Sequence, residues 1–168
     1  ENKDGKLQIS FSSNQVMFDY RIKETKHSQI QVISRLIEGE YPNYQEIIPT
    51  KFKATAVVKR DEFLNQIKTA SLFSGRINEV KISINPTKKE VEVFSKSPDV
   101  GESKSSVQGQ IKGEPLEVSF NYKFLVDGLS NIYSSEVTLE ASKEDGPCIL
   151  RPVGDASYLY VVMPIKAL

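Results

Sequence analysis

The chain reads as an α+β protein in which antiparallel sheets back a pair of helices. Three observations predict this. Apolar and polar residues alternate with a period of two through most of the chain, as half-buried strands require. Two segments switch instead to the spacing of an amphipathic helix. The order strand–helix–strand–strand–strand then occurs twice between about Lys51 and Leu168.

Element by element, Leu7, Ile9 and Phe11 alternate with Gln8 and Ser10, and Val16, Phe18 and Tyr20 alternate after the turn residues Ser12-Ser13-Asn14. This predicts a β-hairpin, with a third strand near 29–36. A Gly/Pro/Asn-rich connector follows, Glu38-Gly39-Glu40-Tyr41-Pro42-Asn43-Tyr44, closed by Pro49. A strand at 53–58 leads into 61–73, where Phe63, Leu64, Ile67 and Ala70 share one helical face. Asp61 is the expected N-cap and Gly75 the expected stop. Strands are predicted at 79–84, 89–95 and 103–111, with turns at Asn85-Pro86 and Pro98-Asp99. The pattern restarts with a strand at 116–120 and Asn121 as the N-cap of a helix with Phe124, Leu125 and Leu129 inward. Strands at 136–140, 147–151 and 157–163 complete it. The two caps stand 60 residues apart, at 61 and 121, and the strands after each helix 57 apart, at 79 and 136. Residues 7–36 are three strands with no helix before them, so the chain is expected to start inside such a unit, as a fragment of a longer protein. The outer helix faces carry Asn65, Lys68, Lys123 and Asp127 and are polar.

Composition narrows the chemistry. The 168 residues include 22 Lys plus Arg and 22 Asp plus Glu, a formal net charge of zero. Tight binding of nucleic acid by bulk charge is therefore disfavoured. At 39% hydrophobic and 26% charged, the chain lacks the signature of disorder. No apolar run is long enough to span a membrane, and the opening residues Glu1–Lys6 are polar, so no membrane association and a cytoplasmic location are expected. The single cysteine, Cys148, sits in an apolar strand-like run and fits a reducing compartment as a buried small hydrophobe. The single histidine, His27, lies in a polar stretch, and with one His and one Cys no metal-ligand cluster, no cofactor site and no Cys–His nucleophile is expected. No phosphate-cradling glycine motif occurs. A carboxylate enzyme would have to draw on Asp127 with Glu136 or Glu140, and their placement gives no reason for convergence. The residues thus argue for a binding or scaffold protein without a catalytic centre. An unrelated non-catalytic β-rich adaptor is the alternative.

Three stretches add a resemblance. Residues Ser34 to Pro49, with Arg35-Leu36-Ile37-Glu38-Gly39-Glu40-Tyr41-Pro42-Asn43-Tyr44 at their centre, form the first. Phe120-Asn121-Tyr122-Lys123-Phe124-Leu125-Val126-Asp127-Gly128-Leu129 is the second, and Tyr158-Leu159-Tyr160-Val161-Val162-Met163-Pro164-Ile165-Lys166 the third. In this order and spacing they resemble the bacterial DNA polymerase III β subunit, the replication sliding clamp, along essentially the whole chain.

The resemblance implies a DNA-clamp fold, with residues 1–49 as the second half of a middle domain plus linker and 50–168 as the C-terminal domain. It implies a processivity factor in which the full-length protein forms a head-to-tail homodimeric ring around duplex DNA, independent of sequence. Such a ring tethers the polymerase III alpha subunit, the clamp loader and repair proteins that carry clamp-binding motifs. The family's peptide pocket maps onto Pro42, Ile47, Asn121, Phe124, Pro147, Val161, Met163, Pro164 and Ile165. Lys68 and Lys123 map to the DNA side, and Leu72 and Phe73 to the ring interface. Because the interface's counterpart lies in the absent N-terminal domain, the fragment itself is not expected to form the ring. Thr69 and Glu46 stand where the family often carries basic residues.

Overall fold

The computed structural model describes residues 6–22, 29–41 and 43–165. Its contacts divide into two compact units, Glu1–Asn43 and Tyr44–Leu168.

The smaller unit is an antiparallel meander of β1 (Leu7–Phe11), β2 (Gln15–Arg21) and β3 (Gln29–Arg35). The β1–β2 turn is closed by the Ser12 N–H, which donates to the Gln15 carbonyl at 2.9 Å. Register sets Leu7 opposite Tyr20 and Ile9 opposite Phe18, with Phe18 in turn opposite Val32, so the apolar residues share one face. Only Val16 of that face is buried, while Leu7, Ile9, Phe11, Ile30 and Val32 remain largely exposed. The opposite face is mixed: Met17 stands opposite Ile33, and the Asp19 carboxylate accepts from the side-chain amides of Gln29 and Gln31. Those bonds, Gln31 foremost, hold Asp19 below its usual range. His27 lies outside the described residues.

The larger unit opens with a 3-10 turn at Tyr44–Glu46 and continues through β4 (Ala54–Lys59), α1 (Arg60–Ser71), β5 (Glu79–Asn85), β6 (Glu90–Ser97) and β7 (Gly101–Gly113). The same order recurs as β8 (Leu116–Asn121), α2 (Tyr122–Ser130), β9 (Glu136–Ala141), β10 (Cys148–Pro152) and β11 (Tyr160–Val162). All eight strands join one antiparallel sheet, in the order β11-β10-β9-β4-β7-β6-β5-β8. The two repeats exchange their leading strands. β4 pairs with β9 of the second repeat, and β8 pairs with β5 of the first. Neither repeat can therefore complete its half of the sheet alone.

α1 and α2 pack against each other and against the sheet. α1 buries Phe63, Leu64, Ile67 and Ala70, and α2 buries Leu125, Gly128 and Leu129. The alternate residues of the strands meet them, among them Val58, Val80, Ile82, Val93, Phe120, Val137 and Leu139, none more than 1% exposed. Each fully buried aliphatic side chain contributes about 1.5–3 kcal/mol. The β4–β7 seam is tight. A Cβ on Gly109 would collide with the Val57 carbonyl, so only glycine lets the two backbones approach this closely.

Four local expectations are revised. The α1 N-cap is Lys59, whose ammonium has no acceptor to make a side-chain cap, and the Arg60 N–H is satisfied instead by the Ser135 carbonyl at 2.9 Å. Asp61 sits instead in the first turn, where its charge favours the helix dipole and pairs with Arg60. Phe124 does not point inward. One residue before the buried Leu125, it is rotated about 100° off the apolar stripe and is 52% exposed. β7 extends to Gly101–Gly113, because cross-strand pairs such as Lys96–Glu102 and Lys104–Glu92 carry the β6–β7 ladder past the apolar residues. β11 shrinks to Tyr160–Val162, since Asp155 and Ser157 form a turn in which the Ser157 N–H donates to Asp155 Oδ1 at 2.8 Å.

Candidate functional site

The C-terminal segment converges with α2. Asn121 caps α2 as its sequence predicts, Oδ1 accepting the Lys123 N–H at 3.1 Å. After β11 the chain leaves β10 and crosses to the opposite end of the strand order, where the Ile165 N–H donates to the Ser119 carbonyl of β8 at 2.8 Å. At its other end the Tyr160 ring lies on Gly128, leaving no room for a Cβ, and the Tyr158 hydroxyl donates to the Gly128 carbonyl at 3.5 Å. The segment thus runs antiparallel to α2, from Gly128 back to the residues before Asn121. Met163 and Pro164 fall between the two anchors, towards the end of α2 that carries Asn121 and Phe124.

Register gathers a second set of residues. Ile149 pairs with Val161, and Pro147 and Met163 follow just past the last registered pair, Cys148–Val162, two residues along from Ile149 and Val161. Cys148, Leu150 and Val162 point to the main core, so Pro147, Ile149, Val161 and Met163 share the other face. Ile149 is fully buried there although it is not part of the main core. Val161 and Pro147 are half-buried, and Met163 is 50% exposed. The surface is a buried apolar floor, half-open walls and an adaptable methionine, bordered on the same face by the Glu140–Arg151 ion pair. That is suited to apolar peptide side chains.

Ile149 is the residue that sequence reasoning missed. The signal was the unbroken run Cys148-Ile149-Leu150, which marks a strand covered on both faces where alternation would mark one face only. Pro164 and Ile165 are half-buried along the same segment. Ile47, just after the 3-10 turn, is 49% exposed. Pro42 lies outside the described residues.

Lys68 in the last turn of α1 and Lys123 in the first of α2 are exposed, and neither makes an ion pair among the described residues. Leu72, the C-cap of α1, is 74% exposed, and Phe73 beside it is half-buried. Ile77, in the turn closed by the left-handed Gly75 and Asn78, is 62% exposed and extends this apolar end of the helix. Elsewhere the carboxylates stand apart. Glu140 accepts from Arg151 at 3.0 Å, Glu136 is four residues away on β9, and Asp127 is on α2. Among the described residues no three His, Cys, Asp or Glu side chains group as metal ligands. Cys148 is buried, which pushes its thiol up to about 12.

Residues 45–166 match the family model of the DNA polymerase III beta subunit, C-terminal domain. The chain belongs to this family. It is 34% identical over 163 residues to the beta sliding clamp of Staphylococcus aureus, covering 95% of this chain and 41% of that one. It is 31% identical over 134 residues to that of Synechococcus elongatus, covering 79% of this chain and 36% of the other. The chain therefore spans about two fifths of the length of these curated relatives. Among solved structures, the DNA polymerase sliding clamp of Bacillus subtilis superposes with a TM-score of 0.81 at 29% identity, covering 96% of this chain and 41% of that one. The Pseudomonas aeruginosa DNA polymerase III subunit beta gives 0.84 at 20%, covering 99% and 44%, a likeness of fold. The α+β clamp architecture is established, and membership in the family leaves no support for an unrelated adaptor. No helix among the described residues is long and apolar enough to cross a membrane.

Proposed function

We propose that this chain is the part of a replication sliding clamp that docks partner proteins. Residues 1–49 supply the second half of the middle domain with the linker, and 50–168 the C-terminal domain. The observation that carries the reading is the apolar surface built by Pro147, Ile149, Val161 and Met163 next to the terminal segment that ends at the α2 N-cap. It receives short Gln- and Leu/Phe-containing peptides of the polymerase III alpha subunit, the clamp loader and repair proteins. Ile47, Asn121, Phe124, Pro164 and Ile165 border it.

The full-length protein works without bond-making chemistry, in the cytoplasm, as a homodimeric ring closed through Leu72, Phe73 and Ile77. Lys68 and Lys123 face duplex DNA. Retention by enclosure needs few phosphate contacts, and a net charge of zero is consistent with sliding under a shallow salt dependence.

Titration with the peptide Gln-Leu-Ser-Leu-Phe, followed by backbone amide NMR, tests the docking surface. Saturable shifts at Val161–Ile165 and Phe124 are expected in this chain, with tighter binding by the full-length protein. Absence of binding by the full-length protein overturns the reading.

A further inference from the structure

A second cleft lies at the far end of α2, about 10 Å along the helix axis from Phe124. Its volume is about 250 Å³, and its walls include Asn131, Tyr133, Ser134, Asp155, Ser157 and Tyr158. None of these belongs to the peptide-docking surface. Tyr133 is 91% exposed, so its ring is open to a group entering from solvent. The Tyr158 hydroxyl lies 3.5 Å from the Gly128 carbonyl, and its ring packs against the main core. Asp155 is the only charged residue of the lining, and its carboxylate is fixed by the Ser157 N–H at 2.8 Å. Bonds from Ser157 also hold its carboxyl below the usual range, so it is ionised at neutral pH. The cleft opens where α2 ends, and the negative end of the helix dipole adds to the same sign of potential.

We propose that this cleft binds the arginine side chain of a partner protein's peptide, with the guanidinium paired to Asp155 and stacked on Tyr133 and Tyr158. Two aromatic walls, one carboxylate and a helix C-terminus are complementary to a cation. The guanidinium satisfies all three together, because it is planar, stacks on aromatic faces and presents a fork of donors to a carboxylate. A compact ammonium pairs with the carboxylate but stacks poorly. The peptide-docking surface is apolar and selects leucine and phenylalanine, so the two ends of α2 recognise opposite chemistries.

The test is a titration of the chain with N-acetyl-arginine amide, read by backbone amide shifts, beside the neutral citrulline analogue and N-acetyl-lysine amide. Saturable shifts confined to residues 131–134 and 155–158 are expected with the arginine compound. Asp155→Asn, whose amide oxygen still accepts the Ser157 N–H, and Tyr133→Ala, which removes an exposed ring, are each expected to weaken binding about threefold or more, with the rest of the spectrum unchanged. The proposal is overturned by an absence of saturable shifts, by equal shifts from citrulline, by equal affinity for lysine, or by undiminished binding in Asp155→Asn. The apolar peptide surface is read separately, at Val161–Ile165, so failure of one leaves the other standing.

Discussion

Gly128 carries no side chain because the ring of Tyr160 occupies the space one would fill, with Cδ1 2.6 Å from where a Cβ would stand. Gly128→Ala is expected to destabilise the protein by about 1–3 kcal/mol through overpacking, against a helix-propensity gain of at most about 1 kcal/mol. A urea melt measures the net loss, and peptide affinity should fall with it because the terminal segment is displaced. Asn121→Ala removes the α2 cap bond and should cost about 1 kcal/mol. Met163 and Leu129 separate docking from folding. Met163 is 50% exposed, so Met163→Ala should weaken peptide binding about tenfold with little change in melting temperature. Leu129 is fully buried, and Leu129→Ala should cost about 2–5 kcal/mol.

Cys148 supplies a pH prediction. Its thiol is pushed from 9.0 to about 12 by burial, so the folded state keeps the proton that the unfolded state releases. The contribution is fully present below pH 9 and lost as pH rises towards 12, where unfolding releases a proton. Stability measured by denaturant titration should therefore fall through this alkaline window and fall less in Cys148→Ala. At pH 8 the thiol should resist iodoacetamide until the protein is unfolded. Much of this scale was legible in sequence. The Asn121 cap and the buried Cys148 follow from residue type and neighbours. The Lys59 cap, by contrast, depends on the carbonyl of Ser135, 75 positions away in sequence, at 60 against 135, and no local pattern encodes that.

At the scale of elements, the two helices and eleven strands of the described residues were readable from their periods or, for β10, from an unbroken apolar run, but their ends were not. β7 runs on through polar residues that find partners across the ladder, and β11 is cut short by a turn built from Asp155 and Ser157. The β5–β8 pairing is reinforced by Lys81 and Glu117 at 2.9 Å, and Ser83 donates to the same carboxylate at 3.0 Å. The Lys81 bond, foremost, holds Glu117 below the usual carboxylate range. Its contribution is present above the unfolded pKa and lost as pH falls through the folded one. β8 holds an end of the sheet order, with the Ile165 bond on its far side. Ending the chain before Ile165 is expected to loosen β8 and the start of α2, seen as faster amide exchange at residues 116–124.

At the scale of the molecule, the described residues that lead out of the smaller unit are exposed. Ile37 is 96% exposed and Tyr41 85%. Limited proteolysis should cut there first and release a piece spanning residues 44–168 with undiminished thermal stability, because its core is complete within Tyr44–Leu168. The three-stranded unit should behave differently. Its apolar face holds the exposed Leu7, Ile9, Phe11, Ile30 and Val32, and binding of a hydrophobic dye is expected to map to it.

The sequence alone determined the alternation, the two helical stripes and the doubled strand–helix–strand–strand–strand order, since each is set by residues close together in the chain. It also carried the stretches that mark the family. That the repeats trade their first strands, that Ile149 floors a surface outside the core, and that the last residues run back along α2 to Ser119 emerged only in three dimensions. Those facts rest on pairings between distant segments, whose choice depends on which combination buries the most apolar surface while satisfying every backbone donor.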